Sequence, residues 1–151
     1  MRKRANKSAG FSLIEALVSL IVISVGMIGI ASLYGQGLTA GRVALSRTLA
    51  VNLASAMAES IRANPLALAA YAGPAAASGC DPTGAATCAP AVMAAHDLWV
   101  WNQAIQAQLP NASGQVTFVD GAPPTYTITV AWDEVGLGQV TETLITQVPP
   151  I

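Results

Sequence analysis

Few residues in this chain of 151 carry side chains able to do chemistry, and their spacing limits what that chemistry is. One histidine, His96, and two cysteines, Cys80 and Cys88, are too few ligands for most zinc sites. The cysteines lie eight positions apart, which is not the Cys-x-x-Cys spacing of a redox site. They flank Asp81-Pro82-Thr83-Gly84, a turn-forming stretch. In an oxidising compartment they would close a small loop worth about 2.5 kcal/mol by the chain-entropy relation, and in a reducing one they would stay free thiols. Asp133-Glu134 are adjacent carboxylates on an extended segment, where neighbouring side chains point to opposite faces. Asn111-Ala112-Ser113 has the form of a glycosylation acceptor but reads as a turn. No phosphate-binding glycine loop and no metal-spaced cluster occurs, so the expectation is a chain that is not an enzyme and needs no cofactor or metal. The exception to this quiet picture is Glu15, a carboxylate set inside an apolar run.

The composition explains why that carboxylate stands out. Apolar residues make up 53% of the chain and charged residues 10%, with a mean hydropathy of +0.52. Such a chain is not disordered, because it has enough apolar surface to offset chain entropy. Its formal charge of -1 hides an asymmetry: Arg2, Lys3, Arg4 and Lys7 precede the apolar run, and from Phe11 onward Arg42, Arg47 and Arg62 face eight carboxylates. That acidic remainder argues against a nucleic-acid partner, for which a basic face must neutralise phosphates.

From Ala16 to Gly41 no charged residue occurs. As a helix, about 20 such residues span the roughly 30 Å hydrocarbon core, and the basic cluster ahead of them stays cytoplasmic by the positive-inside tendency. The run is longer than the 7 to 15 apolar residues of a secretory signal peptide. A charge at mid-helix costs about 2.5 to 3.5 kcal/mol on insertion scales, less near the interface, so Glu15 calls for either a partner or a snorkelling path to the headgroups.

The helix pattern continues through Leu45, Leu49, Leu53, Ala56 and Ile61, and Asn64-Pro65 should end it. A helix from Ser12 to about Ala63 would be roughly 78 Å long at 1.5 Å per residue. Leu66 to Ala95 is rich in alanine, glycine and proline and reads as a connector. Asp97 is placed to cap a helix over Leu98 to Leu109, with Leu98, Trp101, Ile105 and Leu109 on one face, Trp99 off it with partial core burial, and Pro110 as the stop. Three strands follow, at Gln115 to Val119, Thr125 to Asp133 and Gln139 to Val148. Tyr126, Ile128, Val130 and Trp132 alternate on one face of the middle strand. Turns at Gly121 to Pro124 and Gly136 to Gly138 make an antiparallel meander. The fold class is α+β: a long N-terminal helix packed on a small antiparallel sheet.

Gly10-Phe11-Ser12-Leu13-Ile14-Glu15, with a basic leader before it and an apolar helix after it, resembles the class III signal of type IV pilins and pseudopilins. The resemblance implies cleavage between Gly10 and Phe11 by a prepilin peptidase, N-methylation of Phe11, and an assembly role for Glu15. Glycine before the cut lets an extended backbone lie close to a protease. The Glu15 carboxylate could then pair with the Phe11 ammonium of a neighbouring subunit in a poorly screened bundle. AMAESIRANP at 56–65, LWVWNQAIQAQLP at 98–110 and TYTITVAWDE at 125–134 look like minor pilins of the PilV kind, also called type IV pilus modification proteins.

This reading divides the chain into a basic prepilin leader (1–10), a transmembrane and assembly helix (11–41), its amphipathic continuation (42–65), a loop with the cysteine pair (66–95) and a periplasmic helix with a three-stranded sheet (96–151). The implied partners are prepilin peptidase, other minor pilins and the major pilin, the inner-membrane assembly machinery and the bilayer. The implied location is the inner membrane, with the N-terminus cytoplasmic, and then the pilus at the cell surface. Two other functions stay open at this point: a pseudopilin of a type II secretion system, and an uncleaved, membrane-anchored binding module.

Overall fold

The computed structural model describes residues 12–78, 80 and 88–148. Its elements are α1 (Leu13–Ala63), a 3-10 helix (Pro65–Ala72), α2 (Pro90–Gln108), β1 (Ser113–Val119), β2 (Thr125–Glu134) and β3 (Gly138–Gln147). It is an α+β arrangement with one antiparallel sheet in the order β1-β2-β3. The chain separates into two compact units, one through Arg42 and one from Val43 onward.

The described part of the first unit is helix alone. Leu13, Ile14, Leu17, Leu20, Ile23 and Ile28 are all exposed, each by more than half of its surface. No stripe is favoured, because apolar residues occupy every side. That is the pattern of a helix whose surroundings are themselves apolar. It is long and apolar enough to cross a membrane.

The second unit contains the core. Along α1 the buried residues are Ala50, Leu53, Ala54, Met57, Ala58 and Ile61, a stripe with steps of three and one that a 3.6-residue period produces. This corrects the expected face: Leu53 and Ile61 belong to it, whereas Leu45 and Ala56 are exposed. The small Ala50, Ala54 and Ala58 side chains carry the contact between the larger ones. Asn64-Pro65 does end the helix, but the chain then coils into the 3-10 helix rather than an open connector.

The second helix also begins earlier than its expected start at Leu98. Its N-cap is Ala89 and Pro90 occupies the first turn, a position where proline's fixed φ and missing N–H cost nothing. Asp97 therefore lies in mid-helix and caps nothing. Leu98, Trp101, Ile105 and Leu109 are buried as their spacing implies, while Trp99 remains 38% exposed. Trp101 donates its Nε1–H to the Leu53 carbonyl at 2.8 Å, tying α2 to α1.

In the sheet the period-two pattern of β2 buries Tyr126, Ile128, Val130 and Trp132. Phe118 pairs with Tyr126 across the strands, and Thr129 lies opposite Thr143. Gly136 and Gly138 have φ of 86° and 77° in the β2–β3 turn, a left-handed conformation that glycine adopts without Cβ strain. Gly114 on β1 admits close packing instead: a Cβ there would lie 2.5 Å from Ile105 Cδ1.

Candidate assembly and processing site

The residues that the leader pattern singles out are Gly10, Phe11 and Glu15, and the first two lie outside the described residues. Glu15 sits in the first turn of α1 and is exposed. Its backbone N–H donates to the Ser12 carbonyl at 3.0 Å, and Ala16 N–H donates to the same oxygen at 3.2 Å, so the helix starts immediately ahead of the carboxylate. A negative charge in a first turn is favoured by the exposed N–H groups and the helix dipole. Among the described residues no cation pairs with it. Beyond it the large apolar side chains from Leu17 to Leu38 are exposed.

The cysteines come together: Cys80 and Cys88 form a disulfide, with Cα atoms 6.0 Å apart. Cys80 is buried. Nearby backbone is tied to α2, since Ala76 N–H donates to the Ala95 carbonyl at 3.0 Å.

The side chains that could suggest catalysis are otherwise engaged. Ser60, His96 and Asp97 line one groove of about 310 Å³ between α1 and α2, walled by Leu53, Met57, Val100 and Trp101. These are the residue types of a hydrolytic triad, whose geometry needs the carboxylate to orient the imidazole and the imidazole to reach the hydroxyl. Here the Asp97 Oδ2 accepts from the Tyr71 hydroxyl at 2.6 Å. The His96 Nδ1 faces the Ser78 backbone N–H at 3.4 Å, and its ring stacks on Trp99 with centroids 6.0 Å apart. The contacts build a structural joint rather than a relay. Asp133 and Glu134 also part company: Asp133 is exposed and accepts from Asn111 Nδ2 at 3.0 Å, whereas Glu134 is buried and accepts from Trp132 Nε1 at 3.1 Å. Among the described residues no three His, Cys, Asp or Glu side chains converge on a metal position.

The joint at Tyr71 was not foreseen from the sequence. Its ring is fully buried, and its hydroxyl also lies 3.0 Å from the Ser60 carbonyl, so one side chain of the 3-10 helix bridges α1 and α2. Burial, and then the bond and charge of Asp97, push its pKa above the ordinary tyrosine value. Tyr126, whose hydroxyl donates to the Leu68 carbonyl at 3.3 Å, is raised by burial alone.

A long apolar helix opening on a carboxylate, with a small helix-and-sheet domain following it, is a pilin-like arrangement. Comparison with known families gives that class a more definite content. Residues 33–99 match the family model of Type IV pilin Tt1218, and residues 5–31 match the prokaryotic N-terminal methylation motif. No curated protein and no solved structure matches the chain. The two family matches support membership of the type IV pilin superfamily. A leader of this class implies processing by a prepilin peptidase and a setting of pilus assembly.

Proposed function

We propose that this chain is a minor pilin of the PilV kind, a structural subunit that enters the type IV pilus or its initiating complex and affects assembly or surface properties. The observation that carries the reading is the match to the methylation motif at 5–31, which overlaps the start of a helix whose large apolar side chains from Leu13 to Leu38 are exposed. Such a helix is stable only in lipid or against other helices, and those are the two environments that a pilin occupies in turn. The basic leader keeps the N-terminus cytoplasmic, and the Cys80–Cys88 bond suits a domain held in an oxidising periplasm.

In this role the peptidase cuts between Gly10 and Phe11 and Phe11 is methylated. The new ammonium of one subunit then meets the Glu15 carboxylate of its neighbour. Pairing in an apolar bundle removes the cost of leaving either charge alone. Other minor pilins, the major pilin and the inner-membrane machinery are the partners. Intact mass spectrometry of sheared pili tests the processing, with loss of residues 1–10 plus one methyl group expected and retention of Met1 rejecting the pilin reading. Pilus counts in a deletion strain test the role: unchanged pilus number and surface properties would reject a function in assembly.

A further inference from the structure

The segment that follows the 3-10 helix is held against α2 by two backbone donors. Ala76 N–H reaches the Ala95 carbonyl at 3.0 Å, and Ser78 N–H reaches His96 Nδ1 at 3.4 Å. The two acceptors differ in kind. A carbonyl oxygen accepts at every pH, whereas an imidazole nitrogen accepts only while it carries no proton. Because Nδ1 accepts, the neutral ring carries its hydrogen on Nε2, and acid adds the second proton to Nδ1 itself. Two donors would then face each other.

Two further contacts bear on the balance between holding the segment and freeing it. The Ser78 hydroxyl oxygen is buried and has no hydrogen-bond partner among the described residues, an arrangement that costs free energy until the group reaches water. The His96 ring stacks on Trp99 with centroids 6.0 Å apart, near enough for the aromatic face to attract an imidazolium. Protonation therefore removes a bond that offsets the orphaned hydroxyl, while the ring keeps a favourable place on α2. Of the titratable and charged groups around the ring, Asp97 follows it on α2 and accepts from the Tyr71 hydroxyl of the 3-10 helix. From α1, Leu53, Ala56, Met57 and Ser60 line the same groove as His96, and Glu59 and Arg62 pair with each other. Cys80 is held in the disulfide. Histidine is the residue type among these whose charge ordinarily changes between about pH 5 and 8.

We propose that His96 is a pH-operated latch: the neutral ring holds Ser78, and the chain leading into Cys80, against α2, and the protonated ring lets it go. The contact is present above the titration of the ring and is lost as the pH falls through it. The latch goes beyond the minor-pilin reading and does not depend on it, since its contacts all lie within the domain after Val43.

Hydrogen exchange of the full chain in detergent, read amide by amide by NMR and taken relative to the intrinsic rate at each pH, tests the latch. The Ser78 amide should lose roughly fivefold in protection from about pH 8 to about pH 5. The Leu109 amide, which donates to the Ile105 carbonyl at 2.9 Å, should keep its protection. His96→Asn and His96→Ala should each abolish the pH dependence at Ser78, because neither side chain titrates. Equal Ser78 protection at the two pH values, a loss matched at Leu109, or a pH dependence that survives in His96→Ala would each overturn the proposal. Nitrogen chemical shifts of the ring give a second measurement in the unaltered chain: at about pH 8 the unprotonated nitrogen should be Nδ1. A proton on Nδ1 under those conditions would refute the latch.

Discussion

Replacing Tyr71 by phenylalanine removes one oxygen from a fully buried ring and leaves the rest of its packing in place. Lost with it are the 2.6 Å bond to Asp97 Oδ2 and the 3.0 Å approach to the Ser60 carbonyl. Hydrogen bonds to charged groups contribute about 1.5 to 3 kcal/mol. Asp97 is only partly buried and regains some water, so the expected loss for Tyr71→Phe is about 2 kcal/mol. In a domain of this size each kcal/mol lowers the melting midpoint by roughly 4 to 8 °C. All three tryptophans, Trp99, Trp101 and Trp132, lie after Val43, so tryptophan fluorescence of the detergent-solubilised chain follows the domain without interference from the membrane segment.

The pH dependence supplies an independent check. The folded-state pKa of Tyr71 is raised above the ordinary tyrosine value, so the unfolded chain loses this proton first as pH rises. Stability from this group is therefore complete below about pH 10, the unperturbed tyrosine value, and declines above it. Tyr71→Phe should flatten that decline. A loss below about 0.5 kcal/mol, the usual range for surface substitutions, would refute the joint, as would an alkaline decline identical in the two proteins.

Further outcomes follow from other contacts. Gly114→Ala places a methyl group against Trp101 and Ile105 and should destabilise the domain by about 1 to 3 kcal/mol in urea unfolding followed by fluorescence. Cys80→Ser should cost about 2.5 kcal/mol by the same assay, and alkylation without reductant should leave both wild-type cysteines unlabelled. Glu15→Gln should leave leader cleavage unchanged and shift the domain's stability by less than about 0.5 kcal/mol, yet lower recovery of the chain in sheared pili by immunoblot. Equal incorporation would favour a snorkelling carboxylate.

The elements easiest to read in the sequence were those with a simple period. The alternation of Tyr126, Ile128, Val130 and Trp132 located β2 to within a residue and named its buried face, because a period of two leaves no choice of side. The contact stripe of α1 was harder. Alanines count little in a search for large apolar residues, yet Ala50, Ala54 and Ala58 are among the most fully buried residues of the stripe. The start of α2 was missed for a related reason: Pro90-Ala91-Val92-Met93-Ala94 looked like more of the alanine-rich connector. The usable signal was a proline at a first turn followed by strong helix formers. Tyr71 carried no local signal, since its acceptors Ser60 and Asp97 stand 11 and 26 positions away. A joint made by contacts across such separations is settled by packing and cannot be read from spacing.

Burial also separates the self-sufficient part of the fold from the segment that carries Glu15. After Val43, the buried residues of α1, α2 and the sheet form one core cluster, and polar groups such as Trp101 Nε1, Trp132 Nε1 and the Tyr71 hydroxyl find acceptors within the domain. Before it, the large apolar side chains are exposed, and Glu15 has a helix N-terminus but, among the described residues, no cation. In water such a segment is unfavourable by its exposed apolar area. In lipid its helix satisfies every mid-segment backbone group, but the carboxylate is left costly. A bundle of like helices relieves both penalties at once if it brings an ammonium to Glu15. In the proposed pilus subunit, the same residue that makes the membrane state imperfect would favour leaving it for the filament.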